Sequence, residues 1–101
     1  MTPSDITNLI RKEIADLQQP IRSCVAINKC LVTPTRIIFA DHQRNDWGLW
    51  LVLEERPDTK DGYKIVFDED SNEFGLATKG HDTRAVVIGF YGTFVQALEV
   101  M

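Results

Sequence analysis

The chain predicts an α+β domain with an N-terminal helix, a four- or five-stranded mainly antiparallel sheet and a short C-terminal helix, and three observations carry that prediction. Residues 3–18 hold an apolar stripe at helical spacing behind a capping pattern. From there to about residue 90, short apolar runs alternate with stretches of turn-forming residues, and residues 93–101 return to helical spacing behind a second cap. Strands joined by short links, with helices at the two ends, favour an antiparallel sheet with segregated helices.

Thr2, Pro3 and Asp5 supply an N-cap, a proline at the first helical position and an acid in the first turn. Behind them Ile6, Leu9, Ile10, Ile14 and Leu17 recur at helical spacing, Arg11, Lys12, Glu13 and Asp16 fall mostly off the stripe, and Pro20 stops the helix. In residues 21–32, IRSCVAINKCLV, the branched side chains favour a strand, although Cys24, Ile27 and Leu31 also fit a helical face. Thr33-Pro34-Thr35 reads as a turn or strand edge, Arg36 to Asp41 as a short strand, and the polar run from Asp41 to Asp46 as a loop.

Trp47 to Glu55 has the strongest strand pattern. Leu49, Leu51 and Leu53 alternate with Trp50, Val52 and Glu54, so both faces meet apolar material and the strand is central. Arg56 to Gly62 is rich in turn formers and leads to Tyr63–Phe67, with Tyr63, Ile65 and Phe67 on one face. The stretch DEDSNEFG then forms a hairpin turn into Phe74–Thr78, giving an antiparallel meander. Lys79 to Asp82 is a loop and Arg84–Phe90 a further strand. Thr93 and Gln96 form a capping box, and Phe94, Ala97, Leu98 and Met101 give the closing helix a face to dock on the sheet.

A chain of 101 residues has room for one domain, and its 44% hydrophobic and 26% charged residues are typical of a folded globular protein. Its longest apolar runs fall far short of the roughly 20 residues of a membrane span, and no basic start precedes an apolar block, so the expected location is cytoplasmic. Cys24 and Cys30 are separated by five intervening residues, a spacing that matches neither a redox pair nor a zinc knuckle, and they read as buried reduced thiols.

The net charge of −4 is unevenly spread. Residues 1–40 hold three acids and five bases, whereas residues 41–73 hold ten acids and four bases. An acidic middle third repels a phosphate backbone and attracts cationic partners, so direct nucleic-acid binding is not expected.

Motifs that would name a reaction are missing. Asp68, Asp70 and Asn72 match the first three ligand positions of a calcium loop, but Glu73 stands where the sharp turn requires glycine and Lys79 where a bidentate glutamate is required. Glu54, Glu55, Asp58 and Asp61 lie at a strand end and a polar turn, where nothing drives their pKa values apart for acid–base catalysis. His42 and His81 stand alone, and no P-loop, GxSxG, HExxH or dinucleotide fingerprint occurs. These features predict a binding protein with no catalytic residues, metal or cofactor.

The binding residues this reading selects are the carboxylates Glu54, Glu55, Asp58, Asp61, Asp68, Glu69, Asp70 and Glu73, with Trp47 and Tyr63 as packing anchors. The acids fall into two groups at opposite ends of the 63–67 strand. The succession WLVLEE, GYKIVFDEDSNEFGLAT and VVIGFYGTFVQALEVM on a small acidic domain resembles the bacterial immunity proteins of contact-dependent inhibition and related polymorphic-toxin systems. That resemblance implies a cytoplasmic inhibitor that occludes the active site or substrate approach of a toxin domain, and the acidic surface suits a cationic nuclease. The alternative is a small acidic secretion or assembly chaperone.

Overall fold

A computed structural model describes residues 1–16, 30–41, 43, 45–56, 58–59, 62–79 and 85–101. Helix α1 spans Pro3–Ala15 and starts as the sequence predicts. The Asp5 N–H donates to Thr2 Oγ1 at 3.2 Å and the Thr2 N–H donates to the Asp5 carboxylate at 2.9 Å, a reciprocal capping box. The backbone and hydroxyl of Thr2 hold the Asp5 pKa below its usual value. Asp16 is the C-cap, so the described helix ends short of residue 18, and residues 17–29 lie outside the described residues. Most of the strand expected over 21–32 and Cys24 fall there; Cys30 is buried and reduced.

The strands are β1 (Leu31–Ala40), β2 (Asp46–Glu54), β3 (Lys64–Asp68), β4 (Glu73–Lys79) and β5 (Ala85–Gly92), followed by α2 (Phe94–Val100). Each strand pairs antiparallel with the next, and a parallel bridge between Ala40 and Val86 closes the five into a barrel. An α+β meander is therefore present as predicted, and the closure is the part that local patterns do not announce. Five alternating strands bring the first and last together with the same direction, so the seam has to be parallel.

Thr33-Pro34-Thr35 lies inside β1 and makes no turn. The register against β2 shifts between Leu31 and Thr35, which accommodates a proline that has no N–H to give the ladder. A second irregularity lies between Leu51 and Leu53. It overturns the simple alternation of β2: Leu49 and Leu51 cluster with Phe39, Val66, Ala77 and Val87, while Val52 and Leu53 both join Trp50 in the core that includes the helices.

The helix-covered core joins Ile6 and Ile10 of α1 and Phe94, Ala97 and Leu98 of α2 to Ile65, Phe67, Phe74 and Leu76. Phe74 is its centre, 4.6 Å from the Phe67 ring and 5.6 Å edge-on from Phe94. Full burial contributes roughly 1.5–3 kcal/mol for each such side chain. The helices are also tied by Glu13, whose carboxylate accepts the Phe94 and Val95 N–H groups at 3.2 and 3.3 Å and caps α2 from α1. Thr93 and Gln96 complete the predicted capping box. In the barrel, Gly75 lies under Phe90: a Cβ there would meet the Gly89 carbonyl oxygen at 2.7 Å and the Phe90 ring at 2.9 Å.

Candidate functional site

The two ends of β3 receive different chemistry. At the β2–β3 end, Glu54 does not face a partner as expected. It is buried, and its Oε1 lies 2.8 Å from Lys64 Nζ on the opposite residue of β3. The alternation puts Glu54 on a face that remains covered, and only an ammonium in register makes that burial tolerable. Glu55 is half-buried and turned into its own hairpin, accepting the Tyr63 N–H on its carboxylate at 3.4 Å and the Cys30 thiol on its carbonyl at 3.6 Å. Burial, then the Glu55 charge, pushes the Cys30 thiol pKa up, which keeps it protonated and unreactive. Asp58 and Tyr63 are exposed there, and Asp61 lies outside the described residues.

At the β3–β4 end, Asp68 is also corrected from a partner-facing acid to a buried turn residue. Its Oδ1 accepts the Asp70 N–H at 3.1 Å and its Oδ2 accepts the Ser71 hydroxyl at 2.9 Å. Asn72 completes the turn with a left-handed φ of 59°, a conformation asparagine adopts more readily than most residues. The stretch is thus a turn that consumes its first carboxylate internally.

Glu69 is partly committed too, pairing with the Arg36 guanidinium and lying 3.4 Å from the Met1 amino group. Burial raises its pKa, but that amino group and Arg36 outweigh it and leave the carboxyl below its usual value. Arg36 sits 5.5 Å from the centroid of the Trp50 ring and donates to the Gly48 carbonyl at 3.3 Å. Trp50 is a core residue, as expected for a central strand, and its buried indole N–H has no hydrogen-bond partner among the described residues. Asp70 and Glu73 remain. Both are exposed, and their carboxylates form no ion pair among the described residues.

Trp47 belongs to this same end. β2 and β3 pair with Trp50 opposite Phe67, so continuing the register towards the start of β2 brings Trp47 level with the 69–72 turn. Its ring packs 5.6 Å from Phe90 of β5 at a tilt of 48°, while its indole N–H donates to Asp41 Oδ2 at 3.0 Å, leaving 37% of the residue exposed. Asp41 also accepts the Gln43 and Asn45 N–H groups on Oδ1, each at 2.8 Å. These contacts hold its carboxyl down at about 2, the Trp47 N–H first among them.

Sequence reasoning missed Arg36, Asp41 and Phe90. Asp41 opening a polar loop before a strand is a legible turn signal, but its bond to Trp47 depends on how the loop folds back. Phe90 reaches Trp47 only through barrel closure. This end therefore presents a half-open tryptophan held by Asp41 and Phe90, level in register with the 69–72 turn, together with Asp70 and Glu73, exposed and without an ion pair among the described residues, while Glu69 and Arg36 form a neutralising pair.

A cleft of about 500 Å³ between α1 and the start of β1 is lined by Ile10, Ile14, Leu31, Val32, Thr7 and Arg11 among others, without an acid–base pair. No group of three or more potential metal donors converges among the described residues, and no described helix is long and apolar enough to cross a membrane. Comparison of the chain with protein-family models, curated proteins and solved structures gives no match.

Proposed function

We propose that the chain is an immunity protein: a cytoplasmic inhibitor that binds a cationic toxin domain, such as a nuclease, and blocks its active site or substrate approach. The observation that carries this reading is that Asp70 and Glu73, exposed and without an ion pair among the described residues, lie at the same end of the sheet as the half-exposed Trp47. Unpaired carboxylates accelerate encounter with a basic surface, by about 10- to 1000-fold where the field is strong. A rigid aromatic anchor then supplies the short-range burial that slows dissociation.

Co-expression with the toxin encoded beside this chain tests the proposal through growth rescue and co-purification. Rescue and a tight complex are expected, with association slowing as salt rises and slowing further when Asp70 and Glu73 are both changed to lysine. The absence of both rescue and complex would sink it. Asp68 and Glu69 should stay intact in that experiment, because reversing them disturbs the turn and the Arg36 pair.

A second reading, a secretion or assembly chaperone, draws on a different observation. Thr35, Arg36, Ile37 and Ile38 are all exposed along β1, and Ile38 is 54% exposed. An extended client would lie along such a strand. Light scattering that shows a dimer, with a partly unfolded client in the complex, would favour this reading over the first.

A further inference from the structure

We infer that Trp47, Asp41 and Phe90 form a seat for one arginine or lysine side chain of a protein partner, with the cation on the open face of the Trp47 indole. The inference rests on the partner-binding reading above and adds to it the chemistry of the central contact.

Three observations lead there. Trp47 is held on two sides, by the Phe90 ring at 5.6 Å and by the 3.0 Å bond from its N–H to Asp41, yet 37% of it stays open. A packing residue alone would be buried as the core aromatics are: Phe39, Phe67, Phe74 and Phe94 are each 2% exposed or less and Trp50 is 8% exposed. Second, the indole donates to a carboxylate, and an anion at the N–H edge makes the ring face more negative, which favours a cation over an apolar group. Asp41 remains anionic throughout the physiological range, since its carboxyl is held at about 2. Third, the surroundings match a cation in charge. The register places Trp47 level with the 69–72 turn, whose Asp70, like Glu73 at the start of β4, is exposed and unpaired among the described residues, and the whole chain carries −4.

The fold already shows this contact in closed form. Arg36 lies 5.5 Å from the Trp50 centroid with Glu69 neutralising it, so that tryptophan's cation comes from the chain itself. Trp47 has the carboxylate and the ring, and no cation from the described residues is recorded over it. Asp41 is a positioning residue here: it fixes the ring and polarises it, and the cation meets the indole.

The test follows the two indole N–H resonances of the full chain by NMR while a blocked tetra-arginine peptide is added, with a blocked tetracitrulline peptide as the uncharged isostere. Trp47→Phe assigns the Trp47 resonance. The expected result is a saturable shift of that resonance with tetra-arginine only, and binding weakened about two- to fivefold by Trp47→Leu, the range a solvent-exposed cation–π contact supplies. Asp41→Ala should shift the Trp47 resonance before any peptide is added and weaken binding similarly, whereas Asp41→Asn, which keeps an acceptor, should lie between. Asp58→Lys, at the other end of β3, should leave the Trp47 response unchanged. Equal shifts with tetracitrulline, no shift of Trp47, or Trp47→Leu binding as tightly as the parent would each overturn the seat. Folding of each variant is read from the dispersed amide spectrum. Growth rescue reports separately on the immunity reading: rescue without a Trp47 response refutes only the seat, and a Trp47 response without rescue refutes only the immunity role.

Discussion

Changing Glu54 to leucine separates a structural acid from a partner-facing one. Glu54 and Lys64 side chains are 6% and 10% exposed, sit opposite each other in the β2–β3 register, and meet at 2.8 Å. Removing one member of such a pair leaves the other charge in a poorly solvated place, which costs about 3–5 kcal/mol in buried examples. Lys64 is the more exposed partner and its flexible stem can move the ammonium towards water, so the low end, about 3 kcal/mol, applies here. For a domain of this size that corresponds to a fall in Tm of roughly 12–24 °C. Urea unfolding followed by circular dichroism measures it, at unchanged slope if the two-state transition survives. The double variant Glu54→Leu with Lys64→Met should recover most of the loss, because an apolar pair of similar volume carries no desolvation penalty. If Glu54→Leu stays within about 0.5 kcal/mol of the parent and instead slows association with a basic partner, the buried assignment is wrong and Glu54 belongs to the binding surface.

Three further outcomes follow from the fold. Gly75→Ala should destabilise by about 1–3 kcal/mol, because its Cβ meets the Gly89 carbonyl oxygen at 2.7 Å, and a smaller loss in the Phe90→Ala background would identify the ring as the second obstacle. Glu13→Ala should cost about 1 kcal/mol in chemical unfolding and raise amide exchange at Phe94 and Val95 ahead of the rest of α2. The Asp41 carboxyl is lowered from 3.8 to about 2 in the folded chain, chiefly by the Trp47 N–H, so its contribution to stability is present above about pH 4 and lost as pH falls through 2. The Trp47 indole resonance should shift in that acid window, and a midpoint between pH 4 and 6 would contradict the assignment.

The helices and the order of strands were legible because their signals are local. Thr2-Pro3-Asp5 and Thr93-x-x-Gln96 each hold their capping chemistry within four residues, and both caps form as read. Strand ends fall within a residue or two of expectation for β2, β3, β4 and β5. Errors of facing arise where register, a relation between strands, overrides alternation: the shift between Leu51 and Leu53 moves Leu53 beneath the helices, and the shift around Pro34 keeps it inside β1. The acids were harder for the same reason. Glu54 and Asp70 look alike in sequence, but Glu54 has Lys64 across the ladder and Asp70 has open solvent. Asp68 could be read as a turn former, though that its two oxygens are both used inside the turn depends on the conformation of Asp70, Ser71 and Asn72.

Sorting the carboxylates by partner changes what the acidic field can do. Glu54, Asp68 and Glu69 hold the fold, Glu55 braces a hairpin, and the exposed acids of the expected site reduce among the described residues to Asp58 at one end of β3 and Asp70 with Glu73 at the other. β3 has five residues and so spans about 17 Å. At 0.1 M salt the Debye length is about 10 Å, so exposed charges at the two ends are largely screened from each other and steer a partner separately. Tyr63 is exposed beside Asp58, but among the described residues Trp47, at the Asp70–Glu73 end, is the aromatic held by both a ring contact and a side-chain hydrogen bond, and long-range attraction is useful for tight binding where short-range burial can follow it. Under the immunity reading, association should therefore respond strongly to reversal of Asp70 and Glu73 and weakly to reversal of Asp58, and dissociation should quicken with Trp47→Leu alone. Equal slowing by reversal at either end would mean that the partner spans the length of β3, and the single-ended docking argued from Trp47 would fail.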